Sequence, residues 1–342
     1  MFLGGAISAV CIFLLIRTVD IRKTAEAFRH ADGRWILASL LLIAAALVVR
    51  CWRWQLLFLP RDRVTLWGST SSTLIGYMFN TVLPGRVGEL ARASLVSQTD
   101  HVSTARALGT IVIEKILDVL VLLILLGALI SYLPLPAEMT GAGLKAAVAF
   151  GLLAVVFFTL SAVRGPVVRW AERWLDSLPL FRWLRPSQSI LMVLDAADAL
   201  RHPPLILAQV VISAGLWGLA LLTVVVVMRA FHLPLPTSAA ALLLVTTNLG
   251  MTVPSAPGYV GVYHYIAVLT LRLFGVDDAV ALSVAIALHA LGFGTFTLAG
   301  AALLVFGLAR QRYQMADLWR WRAVPLSLTA DAPPAAASSG TL

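Results

Sequence analysis

The residues of this chain that could do chemistry are charges placed where charges are costly. Glu114, Lys115 and Asp118 interrupt an apolar stretch running from Ile111 to Ile130. Charge at that depth of a membrane helix costs roughly 2.5–3.5 kcal/mol per residue, so such groups face a bundle interior or a wet cavity. Glu114 and Asp118 are four apart and share a helix face; Lys115 and Asp118 are three apart and can pair. Upstream, Glu89 and Arg92 stand three apart, directly after Pro84-Gly85-Arg86-Val87-Gly88. An arginine can grip a phosphate in a planar two-bond fork. A helix N-terminus exposed by a Pro-Gly break adds a favourable dipole for an anion. Together these groups offer recognition of a charged headgroup rather than bond making. The plainer reading is an internal ion-pair staple of Lys115 with Asp118 and a solvated helix end at Glu89 and Arg92. Glu114 then needs a partner, which Arg86 or Arg92 would supply.

The five-residue pattern recurs as Pro257-Gly258-Tyr259-Val260-Gly261, with Pro254 just before it. Each copy follows an Asn (Asn80, Asn248) by a few residues and breaks an otherwise apolar segment. Broken helices in lipid are tolerated only where they are buried in protein or line a cavity. Paired breaks in two halves of a chain point to a transport site near the membrane midplane. Pro84, Gly85, Gly88, Pro254, Pro257, Gly258 and Gly261 would set the breaks. His264 follows the second one and titrates near neutral pH when unperturbed; His289 lies in the last apolar run. Two unrelated Pro-Gly turns between helices would leave the same pattern.

The elements that must position these residues are membrane helices. Of 342 residues 60% are hydrophobic and 13% charged, which excludes an ordinary soluble domain. Apolar runs long enough to span or re-enter occur at about 1–16, 35–58, 66–83, 105–133, 142–163, 204–230, 238–253, 259–274 and 279–308. This predicts an all-α polytopic protein of eight or nine membrane segments, two of them broken or re-entrant. Residues 1–310 form one transmembrane domain, and 311–342 a cytoplasmic tail, disordered after about 325. The first run has no basic leader or small-residue cleavage site and reads as a retained helix. Basic residues crowd the loops 17–34 and 164–202 and the stretch after 309. The positive-inside rule puts these in the cytoplasm and the Lys- and Arg-free connections 134–141 and 231–237 outside. Arg50, Arg53, Arg61 and Arg63 then fall on the wrong side, unless Arg50 and Arg53 point into the bundle or the third segment is a re-entrant hairpin. Trp52, Trp54, Trp67, Trp170, Trp174, Trp183, Trp319 and Trp321 end apolar runs, as an interfacial belt does. Segment 187–200 has helical apolar spacing and fits the cytoplasmic surface. No nucleotide, metalloprotease, serine-hydrolase or dinucleotide motif occurs, and Cys11 and Cys51 make no metal pair. No cofactor or metal is expected, and no nucleic-acid partner.

The run Asn80 to Arg92, then Glu114-Lys115-x-x-Asp118, then Pro254-x-x-Pro-Gly-x-x-Gly261, resembles the lysylphosphatidylglycerol synthase transmembrane region family, a flippase-like membrane domain. The resemblance spans about residues 5–310. It implies movement of a phospholipid or prenyl-linked lipid between leaflets of the cytoplasmic membrane, without the soluble synthase domain of the longer relatives, so that a separately encoded synthase is an expected partner. It further implies a headgroup site at Arg86, Glu89, Arg92, Glu114 and Asp118, with Asn80, Asn248 and His264 beside the breaks. Two positions depart from the family's habit: Lys115 where Arg is usual, and His264 where an acid is common. The second argues against a cationic aminoacyl headgroup. Two other functions fit the same features: a membrane-embedded lipid-modifying transferase, and a non-catalytic accessory subunit of a lipid or glycolipid synthase.

Overall fold

A computed structural model describes residues 2–60, 62–83, 86–133, 202–253 and 255–310, together with parts of 141–174. Pro84, Gly85, Pro254, the segment 187–200 and the tail 311–342 lie outside the described residues. Among the described residues every regular element is helical. In chain order these are α1 (Phe2–Thr18), α2 (Ile21–Arg29), α3 (Gly33–Leu56), α4 (Leu66–Val82), α5 (Gly88–Asp100), α6 (Thr104–Tyr132), α7 (Arg164–Trp174), α8 (Pro203–Ala230), α9 (Thr237–Gly250), α10 (Val262–Arg272), α11 (Asp278–His289) and α12 (Thr295–Ala309). A 3-10 turn, Pro257–Tyr259, precedes α10, and a π-helical turn, Ala290–Gly294, joins α11 to α12. Apart from 142–163, which lies largely outside the described residues, the apolar runs match helices to within a few residues at each end.

Local chemistry starts the helices. Asp20, Asp32, Thr65 and Asp277 each accept a hydrogen bond from a backbone N–H of the turn they cap. α5 has no cap of its own. Asn80, on the preceding helix, accepts from the Gly88 N–H at 2.8 Å and takes that role. Lipid supplies no hydrophobic drive between helices, so close packing of small residues matters most. Ala239, Ala240, Ala281 and Ala285 are buried in the largest core cluster, and Gly300 lies against the Leu74 carbonyl.

Three described helices are long and apolar enough to cross a membrane: Gly33–Leu56, Pro203–Ala230 and the continuous Asp278–Ala309. A fourth counts if α1 and α2, bent by 83°, form one span. The described residues therefore do not reach the expected eight or nine spans. For α4, α9 and α10 the reason is length. α4, α5, α9 and α10 have 17, 13, 14 and 11 residues. At 1.5 Å per residue the last three reach only about 17–21 Å, against a hydrocarbon core of about 30 Å.

These short helices pair into two antiparallel hairpins. In the first, Asp100 at the end of α5 accepts from the Thr65 N–H at the start of α4, while Gly76 and Gly88 touch nearer the break. In the second, Gly250 meets Ile266 and Thr246 meets Thr270, a pairing that runs in opposite directions along α9 and α10. The hairpins enter from opposite ends of the bundle. α3 and α8 are antiparallel, with Arg53 beside Gln209 and Ser213 and the Asp32 N–H on the Ala230 carbonyl. The first hairpin opens at the Leu56 end of α3, where Gln55 holds the Val64 carbonyl. The second follows Ala230, at the other end.

This arrangement corrects the expected topology. Residues 30–32 bond to Ala230 and His232, so loops 17–34 and 231–237 share one end rather than facing opposite sides. His202, at the start of α8, and Arg310, after α12, lie at the opposite end from loop 17–34. The apparent misplacement of Arg50 and Arg53 also resolves. Both arginines turn toward α6, and the segment after them, α4–α5, is a helical hairpin that returns to the end it left.

Candidate functional site

α3, α5 and α6 bring the charges together at the end of the bundle where the first hairpin enters. Glu114 and Asp118 present one face of α6, as their spacing predicts. Arg92, from α5, reaches Glu114 at 2.9 Å. Arg53, from α3, lies 2.7 Å from Asp118 and 3.6 Å from Glu114. Arg50, one turn earlier, stands 3.6 Å from Asp118 and 3.8 Å from Glu114. Glu114, Arg53 and Arg92 are fully buried. Burial on that scale is affordable only with partners, because an isolated ion in a low dielectric costs far more than one pair returns.

Neutral groups complete the cage. The Arg92 guanidinium lies over the Trp54 ring, its carbon 3.8 Å from the ring centroid. Trp54 donates in turn to Thr110 Oγ1 at 3.1 Å. Arg53 donates to Ser213 Oγ at 3.1 Å, and its carbonyl accepts from Gln209 at 3.0 Å. Trp54 is therefore a buried platform and not a member of an interfacial belt, whereas Trp52 and Trp67 are exposed as a belt requires. Arg92 is buried and committed to Glu114 and Trp54, which removes it from the role of an open headgroup ligand.

The remaining charges form the rim. Lys115 pairs with Glu89 at 3.3 Å, not with Asp118, and both side chains are partly exposed. Lys115 points to the neighbouring helix because it is one residue round from the Glu114–Asp118 face. Asn80 donates to Glu89 at 3.4 Å while capping α5, so it belongs to the same edge. Four cations (Arg50, Arg53, Arg92, Lys115) and three anions (Glu89, Glu114, Asp118) leave the network one positive charge in excess.

Other expected site residues lie elsewhere. Asn248 donates to the Leu244 carbonyl of its own helix and stays out of the network. Its side chain satisfies the backbone turn it sits on. Arg86 reaches across to the second hairpin and donates to the Met251 carbonyl at 2.7 Å. There a cation meets the negative end of the α9 dipole. His264 lies against His289 with the rings tilted by 56° and their centroids 4.8 Å apart, beside Tyr263. His289 in turn bonds the Gly258 carbonyl at 2.7 Å. The two hairpin tips touch. A Cβ built on Gly258 would lie 3.3 Å from the Thr81 carbonyl, and one on Gly261 would lie 2.7 Å from the Ser8 carbonyl of α1.

Sequence reasoning left Arg50, Arg53, Trp54, Gln209 and Ser213 out of the site. Arg50 and Arg53 carried a signal, two arginines three apart inside an apolar helix. The others are ordinary residues made important only by what faces them. Residues 1–300 match the family model described as the lysylphosphatidylglycerol synthase TM region. No curated protein and no solved structure matches the chain.

Proposed function

Because the chain belongs to the lysylphosphatidylglycerol synthase TM region family, we propose that it moves a polar-headed lipid between the leaflets of the cytoplasmic membrane, acting as a translocator and not as a transferase. One observation carries this reading. A network of seven charges, buried at Arg53, Arg92, Glu114 and Asp118 and partly exposed at its rim, adjoins two helical hairpins that enter from opposite ends and meet at their tips. Hairpins of this kind give a headgroup polar surroundings through the hydrocarbon layer while the chains stay in lipid. Glu89, Lys115 and Arg50 at the rim contact the headgroup. Arg53, Arg92, Glu114 and Asp118 hold the helices that form the path.

Orientation follows from charge. α8 starts and α12 ends where the network lies, and the sequence adjoining them, 164–202 and 310–322, carries ten arginines, against five basic residues in loop 17–34 at the other end. The positive-inside rule makes that end cytoplasmic, so the lipid is loaded from the cytoplasmic leaflet.

The test is leaflet exchange in proteoliposomes containing the full chain and labelled phosphatidylglycerol, its lysyl ester or a prenyl phosphate. Wild-type protein should exchange at least one lipid and return it chemically unchanged. Glu89→Gln and Lys115→Gln, which alter a partly exposed pair and leave the fold intact, should slow that exchange. Folded wild-type protein that exchanges none of the three, or that returns a new lipid product, would overturn the proposal.

A further inference from the structure

The charge network assigns a ligand class to one residue that none of the motifs contains. Each carboxylate has its own close cation: Glu114 has Arg92 at 2.9 Å, Asp118 has Arg53 at 2.7 Å and Glu89 has Lys115 at 3.3 Å. Arg50 is the fourth cation. Its nearest carboxylates, at 3.6 and 3.8 Å, are already held by closer partners. Its side chain is 23% exposed, against 0% and 1% for Arg53 and Arg92, so the surplus charge sits at the accessible edge. Lys115, 43% exposed, is the other accessible cation of the network, and guanidinium and ammonium alike are donors only.

We propose that Arg50 is the seat of an anionic phosphate-ester headgroup, with Lys115 as a secondary donor. An anion there brings the network to neutrality, whereas a cationic headgroup would raise its excess to two charges in a medium that screens poorly. Arginine suits the task, since its fork matches two phosphate oxygens at once. The inference deepens the translocation reading by naming the substrate class, and rests on it only for how the headgroup travels onward.

Binding and transport are tested separately. The full chain in phosphatidylcholine nanodiscs is titrated with fluorescent phosphatidylglycerol, its cationic lysyl ester, neutral diacylglycerol and inorganic phosphate. Wild-type protein should prefer phosphatidylglycerol to the lysyl ester. Arg50→Gln should weaken phosphatidylglycerol binding about tenfold or more, the scale of one charge-assisted hydrogen bond. Arg50→Lys should fall between, and Arg310→Gln should match wild type. Displacement of the lipid by millimolar inorganic phosphate would assign the same anion site to free phosphate. Preference for the lysyl ester, or wild-type affinity in a folded Arg50→Gln protein, would overturn the assignment. If Arg50→Gln does not fold, wild-type affinity in Arg50→Lys overturns the part played by the fork. Transport separates the two readings. Lipid exchange unchanged by Arg50→Gln keeps translocation and removes this site, whereas anion binding through Arg50 without exchange keeps the site and removes translocation.

Discussion

At the scale of single residues, the distinction that matters is between ions that are buried and ions at the rim. Glu114 is fully buried between Arg92, Arg53 and Arg50. Neutralising it leaves the buried Arg92 guanidinium without its carboxylate partner, while Arg53 and Arg50 keep Asp118; breaking such a buried pair costs about 3–5 kcal/mol. Glu114→Gln should therefore lower the unfolding temperature in detergent by many degrees. Lys115→Gln removes one partner of a pair with side chains 43% and 21% exposed, and the effect on stability should be about 0–1 kcal/mol. Comparison of the two melting curves checks this, and equal losses would mean that the rim pair also carries the fold. It follows that loss of transport in Glu114→Gln alone says little about substrate contact, while loss in Lys115→Gln says much more.

At the scale of elements, the repeated PGxVG pattern is one device used twice. Its third residue takes a left-handed backbone in both copies: Arg86 has φ 56° and Tyr259 φ 60°. That conformation costs a side-chain-bearing residue roughly 1–2 kcal/mol. Arg86→Gly and Arg86→Ala both lose the bond to Met251, but only glycine relieves the strain. Glycine should therefore be the more stable of the two by about 1 kcal/mol, as denaturant titration would read, and both should widen the spacing between spin labels placed on the two hairpin tips. The α4–α5 crossing is equally specific. A Cβ on Gly88 would lie 1.9 Å from the Gly76 carbonyl oxygen, a backbone atom that no rotamer change can move. Gly88→Ala should destabilise by about 1–3 kcal/mol or more. Gly127→Ala, in an exposed helix position with nothing within 4 Å of the new methyl, should be neutral or better by up to about 1 kcal/mol. Thermal denaturation of the two variants side by side decides whether close approach or flexibility explains the glycines.

At the scale of the whole molecule, two hairpins of opposite sense make the bundle approximately inverted about its middle, with the tips in contact through Arg86 and Met251 and through Thr81 and Gly258. The two ends of the molecule are therefore distinguishable. In a variant with Cys11 and Cys51 replaced, Arg34→Cys and His202→Cys should react with a membrane-impermeant maleimide from opposite sides, and Arg310→Cys from the same side as His202→Cys. Labelling of Arg34→Cys and His202→Cys from one side would contradict the antiparallel packing of α3 and α8.

Composition and period determined from sequence alone that this chain is helical and apolar, and roughly where its helices lie, because each apolar run is a local property of the chain. The paired breaks and the costly charges Glu114 and Asp118 were legible for the same reason, since a Pro-Gly step or a carboxylate in an apolar run is out of place wherever the run goes. Partnership was not legible. Lys115 pairs with Glu89 rather than Asp118, Arg86 with a carbonyl of the other hairpin, and Arg92 with both Glu114 and Trp54. These contacts join residues 22 to 165 positions apart, and only the crossing of α3, α5 and α6 and the meeting of the two hairpin tips decide them. The same holds for sidedness. Basic loops suggest an orientation one at a time, but which loops share an end is fixed by the antiparallel packing of helices far apart in the chain.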